Sequence, residues 1–143
     1  MYLLDTNVVS ELRKLRAGKG DLRVEHWIRQ VPSEAMYVSV VTIEELEIGV
    51  LRMERRDSLQ GALLRTWLNR GVVSTFAGRI LAIDIAVAQR SARLQVPDPR
   101  PIRDTFLAAT ALVHGMTVVT RNLADFEPTG VPVLNPWDNS HDR

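Results

Sequence analysis

The feature that most limits the folds open to this chain is a rhythm of short apolar runs separated by helical stretches. Residues 1–5, Tyr37 to Val41, Arg79 to Ile83, "MTVVT" at 116–120 and "VPVL" at 131–134 are too short for helices and rich in large or β-branched residues. Buried strands that alternate with helices predict a parallel sheet covered on both faces, an α/β fold. The expected helices run from Thr6 or Asn7 to about Leu12, from Asp21 to Val31, from Thr42 onward, and from Ser58 to Leu68 with Gly71 as the stop. Another is capped by Asp84, and "DTFLAATALVHG" at 104–115 is the strongest, with acid at its start and glycine at its end. Thr42-x-x-Glu45 fits a capping box. Lys14 to Gly20, "VPDPRP" at 96–101 and "RNLADFEPTG" at 121–130 read as loops. No repeat or linker breaks the pattern, so a single domain is expected over 1–143, its last residues, about 139–143, a flexible tail.

Composition narrows the chemistry. There is no cysteine, and His26, His114 and His141 are far apart, so thiolate sites are excluded and zinc is not expected. The formal charge of +1 neither demands nor forbids nucleic acid, but 16 of the 18 basic residues are arginine, with Arg52, Arg55 and Arg56 bunched together. Arginine forks suit phosphate, although a solvated helix face would read the same way. Asp5 and Glu11 interrupt any leader-like apolar segment, and no run of about 18 apolar residues exists, so a cytoplasmic setting and no membrane are expected.

Functional groups in an open parallel sheet gather beyond the carboxyl ends of its strands. Asp5 ends the first run, Glu45 follows the second, Asp104 opens the helix before "MTVVT", and Asn122 and Asp125 follow that strand. Each has an ordinary alternative. Asp5 can end a strand and cap a helix, Glu45 can close a capping box, Asp104 can answer the helix dipole, and Asp125 can be a turn residue. As a set they are harder to dismiss, since crowded carboxylates repel one another unless a cation compensates. Oxygen-only ligands select a hard ion, Mg²⁺ or Mn²⁺, and such a site hydrolyses phosphodiesters. Thr120 at a strand end is placed to support a ligating carboxylate. A phospho-receiver is disfavoured because Arg121 stands where that fold needs lysine. A phosphatase with an aspartate nucleophile is disfavoured because "DTN" lacks the acid two residues on.

The blocks "LLDTNVVSEL", "TIEELEIG", "FAGRIL", "RDTFLAATALVHGMTVVTRNLADF" and "NPW" resemble the PIN-domain ribonucleases, and among them the FitB-like branch of the VapC toxins. The resemblance runs from Met1 to about Asp138. It implies a PIN-like α/β/α sandwich with a central, mainly parallel sheet, and Mg²⁺- or Mn²⁺-dependent RNA cleavage by the toxin of a type II system. By it Asp5, Glu45, Asp104 and Asp125 are catalytic, with Asp5, Asp104 and Glu45 on the metal. Thr6, Asn7, Thr120 and Asn122 are supporting residues. Asn122 departs from the aspartate that FitB-like proteins can carry there. Arg52, Arg55, Arg56 and Arg121 are candidate contacts to RNA or antitoxin. The implied partners are a VapB/FitA-like antitoxin, an RNA substrate, and operator DNA reached only through the antitoxin. The implied assembly is a homodimer, or a heterotetramer or hetero-octamer with antitoxin, in the bacterial cytoplasm. The alternative is a catalytically weak PIN-like module that acts with its antitoxin as an operator-binding repressor.

Overall fold

Leu3 and Leu4 point to opposite faces of the first strand and both are fully buried, so the sheet they belong to must be covered on both sides. The computed structural model, which describes residues 1–138, has that arrangement. The expected tail at 139–143 lies outside the described residues. Five short strands, β1 (Tyr2–Leu4), β2 (Met36–Ser39), β3 (Ile80–Leu81), β4 (Thr117–Val119) and β5 (Val133–Leu134), form one sheet in the order β3-β2-β1-β4-β5, every neighbour parallel.

The helices are α1 (Thr6–Arg16), α2 (Leu22–Gln30), α3 (Val40–Arg56), α4 (Ser58–Thr66), α5 (Ile85–Leu94), α6 (Ile102–His114) and the short α7 (Leu123–Phe126). One core packs Leu4, Val8, Val9, Trp27, Val38, Val50 and Val119 on one face of the sheet. The other packs Leu3, Val118 and Phe126 against α6 through Leu107, Ala108 and Ala111. The small side chains of α6 are wholly buried, which brings this helix close to the sheet and sets where its first turn sits. Gly115 ends α6 with φ +67°, a conformation that suits glycine.

Several boundaries differ from the expectation. α1 continues through Lys14 to Arg16, because three basic residues in its last turn complement the helix dipole. The stretch Trp67–Val73 is π-helical, so Gly71 does not stop the chain there. "RNLADFEPTG" contains α7 and a 3₁₀ turn, Glu127–Thr129. The capping box at Thr42 does not form. β2 ends at Ser39, whose hydroxyl accepts from Val41 N at 3.0 Å and caps α3 three residues earlier than expected. Thr42 is therefore buried in the helix, and Glu45 stands in its second turn, free of capping duty.

Candidate metal centre

The chain runs outward from β1 to β2 and β3, then crosses back to β4 on the other side of β1. The switch point thus lies at the carboxyl ends of β1 and β4, where open parallel sheets form their crevice. Leu4 is paired with Val119 there, and Asp5 and Thr120 follow side by side.

Asp5 is only 1% exposed. Its Oδ1 accepts from Thr6 N at 2.7 Å, which caps α1, and its Oδ2 accepts from the Thr120 hydroxyl at 2.8 Å. Thr120 also accepts from Asn122 N at 3.0 Å and, at 3.5 Å, from the Asn7 amide. Asn7 Oδ1 in turn accepts from Arg121 N at 3.3 Å. Capping and a functional role are thus not alternatives for Asp5. The oxygen that caps the helix, Oδ1, is also the one that the Arg103 guanidinium reaches.

Glu45 reaches the same place from α3. Its Oε1 accepts from the Thr6 hydroxyl at 2.6 Å and from Arg103 Nε at 2.8 Å. Asp104, in the first turn of α6, accepts from Arg103 Nη1 at 3.0 Å, and Arg103 Nη2 is hydrogen-bonded to Asp5 Oδ1. One guanidinium thus contacts carboxylates from three separate elements. Burial works against the charge on Arg103. The neighbouring Asp5 carboxylate and the hydrogen bonds to Glu45 and Asp5 outweigh it and hold the pKa of Arg103 above its ordinary value.

The pKa of Asp104 also rises, which for a carboxyl group disfavours the charge. Burial raises its pKa, Arg103 pulls it down, and the charges of Asp125 and Asp5 push it up again, with a net rise. Asp125 is exposed on α7, and its charge is among those that raise the pKa of Asp104. Asn122 is exposed beside it. Asp84 is elsewhere, capping α5 through Val87 N at 2.9 Å.

The donor set is all oxygen and suits a hard divalent ion. Among the described residues, however, no three acids or histidines stand as a ready-made ion site, since the three carboxylates are turned onto Arg103. A single positive centre, the Arg103 guanidinium, does reach all three, so in charge and donor type the residues fit a hard cation.

Arg103 is the residue that sequence reasoning missed. Its signal was present: a cation in the first turn of a helix opposes the dipole and calls for an acidic partner. Arg13 and Lys14 were missed as well. A groove of about 270 Å³ opens from Thr6 and Glu45 between α1 and α3, bordered by Ser10, Arg13, Lys14 and Gly49. Arg52, Arg55 and Arg56 are exposed farther along α3. Arg52 and Arg56 follow Glu45 by about two and three turns on the same side. Arg121 lies over the Trp137 ring, 5.0 Å from its centroid. A larger, mostly apolar groove of about 400 Å³ runs between α1, α2 and Trp67–Val73, but none of the candidate acids lines it.

The PIN domain family model matches residues 2–128. The VapC ribonuclease Y4jK of Sinorhizobium fredii is 34% identical, and the toxin FitB of Neisseria gonorrhoeae 35%. Each alignment covers 96% of this chain and 99% of the relative. The crystal structure of FitAcB from Neisseria gonorrhoeae superposes with a TM-score of 0.85 at 34% identity, covering 96% of this chain and 99% of that one. A structure of FitAB bound to an IR36 DNA fragment gives 0.82 at 33% identity, with both chains fully covered.

Proposed function

The chain belongs to the PIN-domain family, in the branch of the VapC and FitB toxins, and from that membership we propose that it is a metal-dependent endoribonuclease, the toxin of a type II toxin–antitoxin pair. The observation that carries this reading is the convergence of Asp5, Glu45 and Asp104 at the switch point of the sheet. Three acids against one arginine leave an excess of negative charge at a partly buried place, which packing alone has no use for.

Asp5 and Asp104 would hold Mg²⁺ or Mn²⁺, with Glu45 joining directly or through water and Asp125 nearby. When bound, the ion neutralises charge on the scissile phosphate and makes a coordinated water more acidic. The chain's own residues do the rest. Thr120 fixes the plane of Asp5 by its hydrogen bond to Oδ2, with Asn7 and Asn122 N steadying Thr120. Thr6 holds Glu45 at the groove mouth, where its carboxylate is placed to accept a proton from an attacking water. Arg13 and Lys14 line a path for the RNA backbone out of the site, and Arg52 and Arg56, exposed farther along the same side of α3, would extend it. The partner is an antitoxin of the VapB/FitA kind, with operator DNA bound through it, in the cytoplasm. Among the described residues no helix is long and apolar enough to cross a membrane.

Purified protein should cleave RNA in Mg²⁺ and lose that activity in EDTA or as Asp5→Asn. Cleavage that survives both changes ends the metal mechanism. The second reading, a weak nuclease acting as a repressor with its antitoxin, is favoured by the DNA-bound FitAB likeness. It would prevail if folded protein cut no RNA with any ion while its antitoxin complex bound operator DNA.

A further inference from the structure

We propose that Arg103 is a built-in competitor for the divalent ion: its guanidinium and the ion claim the same oxygens of Asp5, Glu45 and Asp104, so the ion binds only as the side chain leaves. This rests on the metal-centre reading above and goes beyond it by assigning control of ion occupancy to one residue.

Each guanidinium nitrogen is committed to a different acid, Nη2 to Asp5 Oδ1, Nε to Glu45 Oε1 and Nη1 to Asp104 Oδ1. Oδ2 of Asp5 accepts from Thr120, whereas Oδ1 takes both the capping bond from Thr6 N and the Arg103 guanidinium, so Oδ1 is where an ion would meet Arg103. The two cations also impose different spacings. Magnesium draws its oxygens to about 2.0–2.1 Å in an octahedron, whereas the arginine fork spreads them at hydrogen-bond distance around a plane. Both cannot be satisfied together. Like charges at the same oxygens would in addition repel.

Helix preference does not explain the position of Arg103. In the first turn of α6 its charge opposes the dipole, so the acids hold it there. It also has a way out, since its side chain is 31% exposed while that of Asp5 is sealed. The result is a site whose ion affinity is lowered by the fraction of time the guanidinium stays in.

The test is Mn²⁺ binding, followed by calorimetry, for the full chain and for Arg103→Gln, with unfolding midpoints in EDTA alongside. Arg103→Gln should bind Mn²⁺ about tenfold tighter, the gain expected if the competent state is populated about a tenth of the time. In EDTA it should unfold at a lower temperature, because its acids lose their counter-charge. Equal or weaker Mn²⁺ binding by the variant, with clear binding by the natural chain, overturns the competitor role and leaves the metal centre standing. Binding by neither protein overturns both readings. Should Arg103→Gln not fold, arginine Nε–Hε NMR of the natural chain decides. The Arg103 resonance should move to a solvent-like position as Mg²⁺ is added. A resonance that stays in place while the ion binds overturns the inference.

Discussion

Arg65 and Arg103 each draw two or three carboxylates onto one guanidinium, yet one acid from each cluster, Glu47 and Asp104, shifts in opposite directions. Arg65, on α4, meets Glu47 and Glu54 of α3 with contacts of 2.6 and 3.3 Å. All three side chains are partly exposed. The hydrogen bond from Arg65 lowers the pKa of Glu47, so that carboxylate is at ease as an anion. Asp104 also accepts from an arginine, but burial and the charges of Asp125 and Asp5 raise its pKa all the same. The first cluster sets two acids on one arginine where solvent reaches all three, and it ties two helices together. The second has too many acids for its single arginine, at a place where solvent screens them poorly. A larger excess of acid at a poorly screened place, rather than the mere presence of an ion pair, is what would mark a functional cluster off from a structural one.

The strongest way to break this comparison is to exchange charge for an isostere in each cluster. Asp104→Asn should cut RNA cleavage by at least about a hundredfold, since even outer partners of a metal ligand cost 10–100-fold, with the fold intact by circular dichroism. Glu47→Gln should leave the rate where it was. A comparable loss from Glu47→Gln, or none from Asp104→Asn, would remove the distinction.

Much of this was readable beforehand. The meeting of the acids at 5, 45 and 104 and the parallel sheet followed from apolar runs that end on polar residues, a pattern governed by strand burial. Three things were hidden. Glu45 looked like half of a capping box because the pattern cannot tell which of Ser39 and Thr42 ends the strand. Ser39 does. The reach of Arg103 was hidden because adjacent helical residues do not face each other, and only the length of the arginine stem lets it turn back to Asp104 and on to Asp5. The path beside Arg13 and Lys14 depended on α1 running three residues past the first glycine-rich signal's expected start, which dipole stabilisation of its basic last turn supplies.

A second substitution sharpens the comparison from the structural side. Gly61 of α4 sits against α3 so closely that a Cβ there would meet the Cα of Glu54 at 2.6 Å and its backbone N at 2.8 Å. Those are backbone atoms that no rotamer change can move. Gly61→Ala should therefore cost about 1–3 kcal/mol of stability, the usual penalty of overpacking, read as a lower urea midpoint. Because the seam joins α3 to α4 far along from Glu45, the cleavage rate of the folded fraction should be preserved. A variant with unchanged stability but lost activity would mean that the seam serves the site and the two clusters are not independent.

The smallest effect comes from a third arginine pair, in which one acid meets one cation. Asp21 caps α2 and accepts from Arg23 N at 2.8 Å, from Nε at 3.2 Å and from Nη2 at 2.9 Å. The Arg23 side chain is the main reason that the pKa of Asp21 falls from 3.8 to about 2. The folded state thus prefers the ionised acid. Its stabilisation is complete above the ordinary value of 3.8 and is lost as pH falls through about 2. Solvent screening of so shallow a pair limits the effect to less than about 1 kcal/mol. Asp21→Asn keeps a capping oxygen but removes the charge. The variant should be slightly less stable than the natural chain at pH 6, with the urea midpoints drawing together from pH 4 downward. A gap that stayed constant with pH would show that Arg23 holds Asp21 by shape alone, and that matched charge adds nothing even where it is fully balanced.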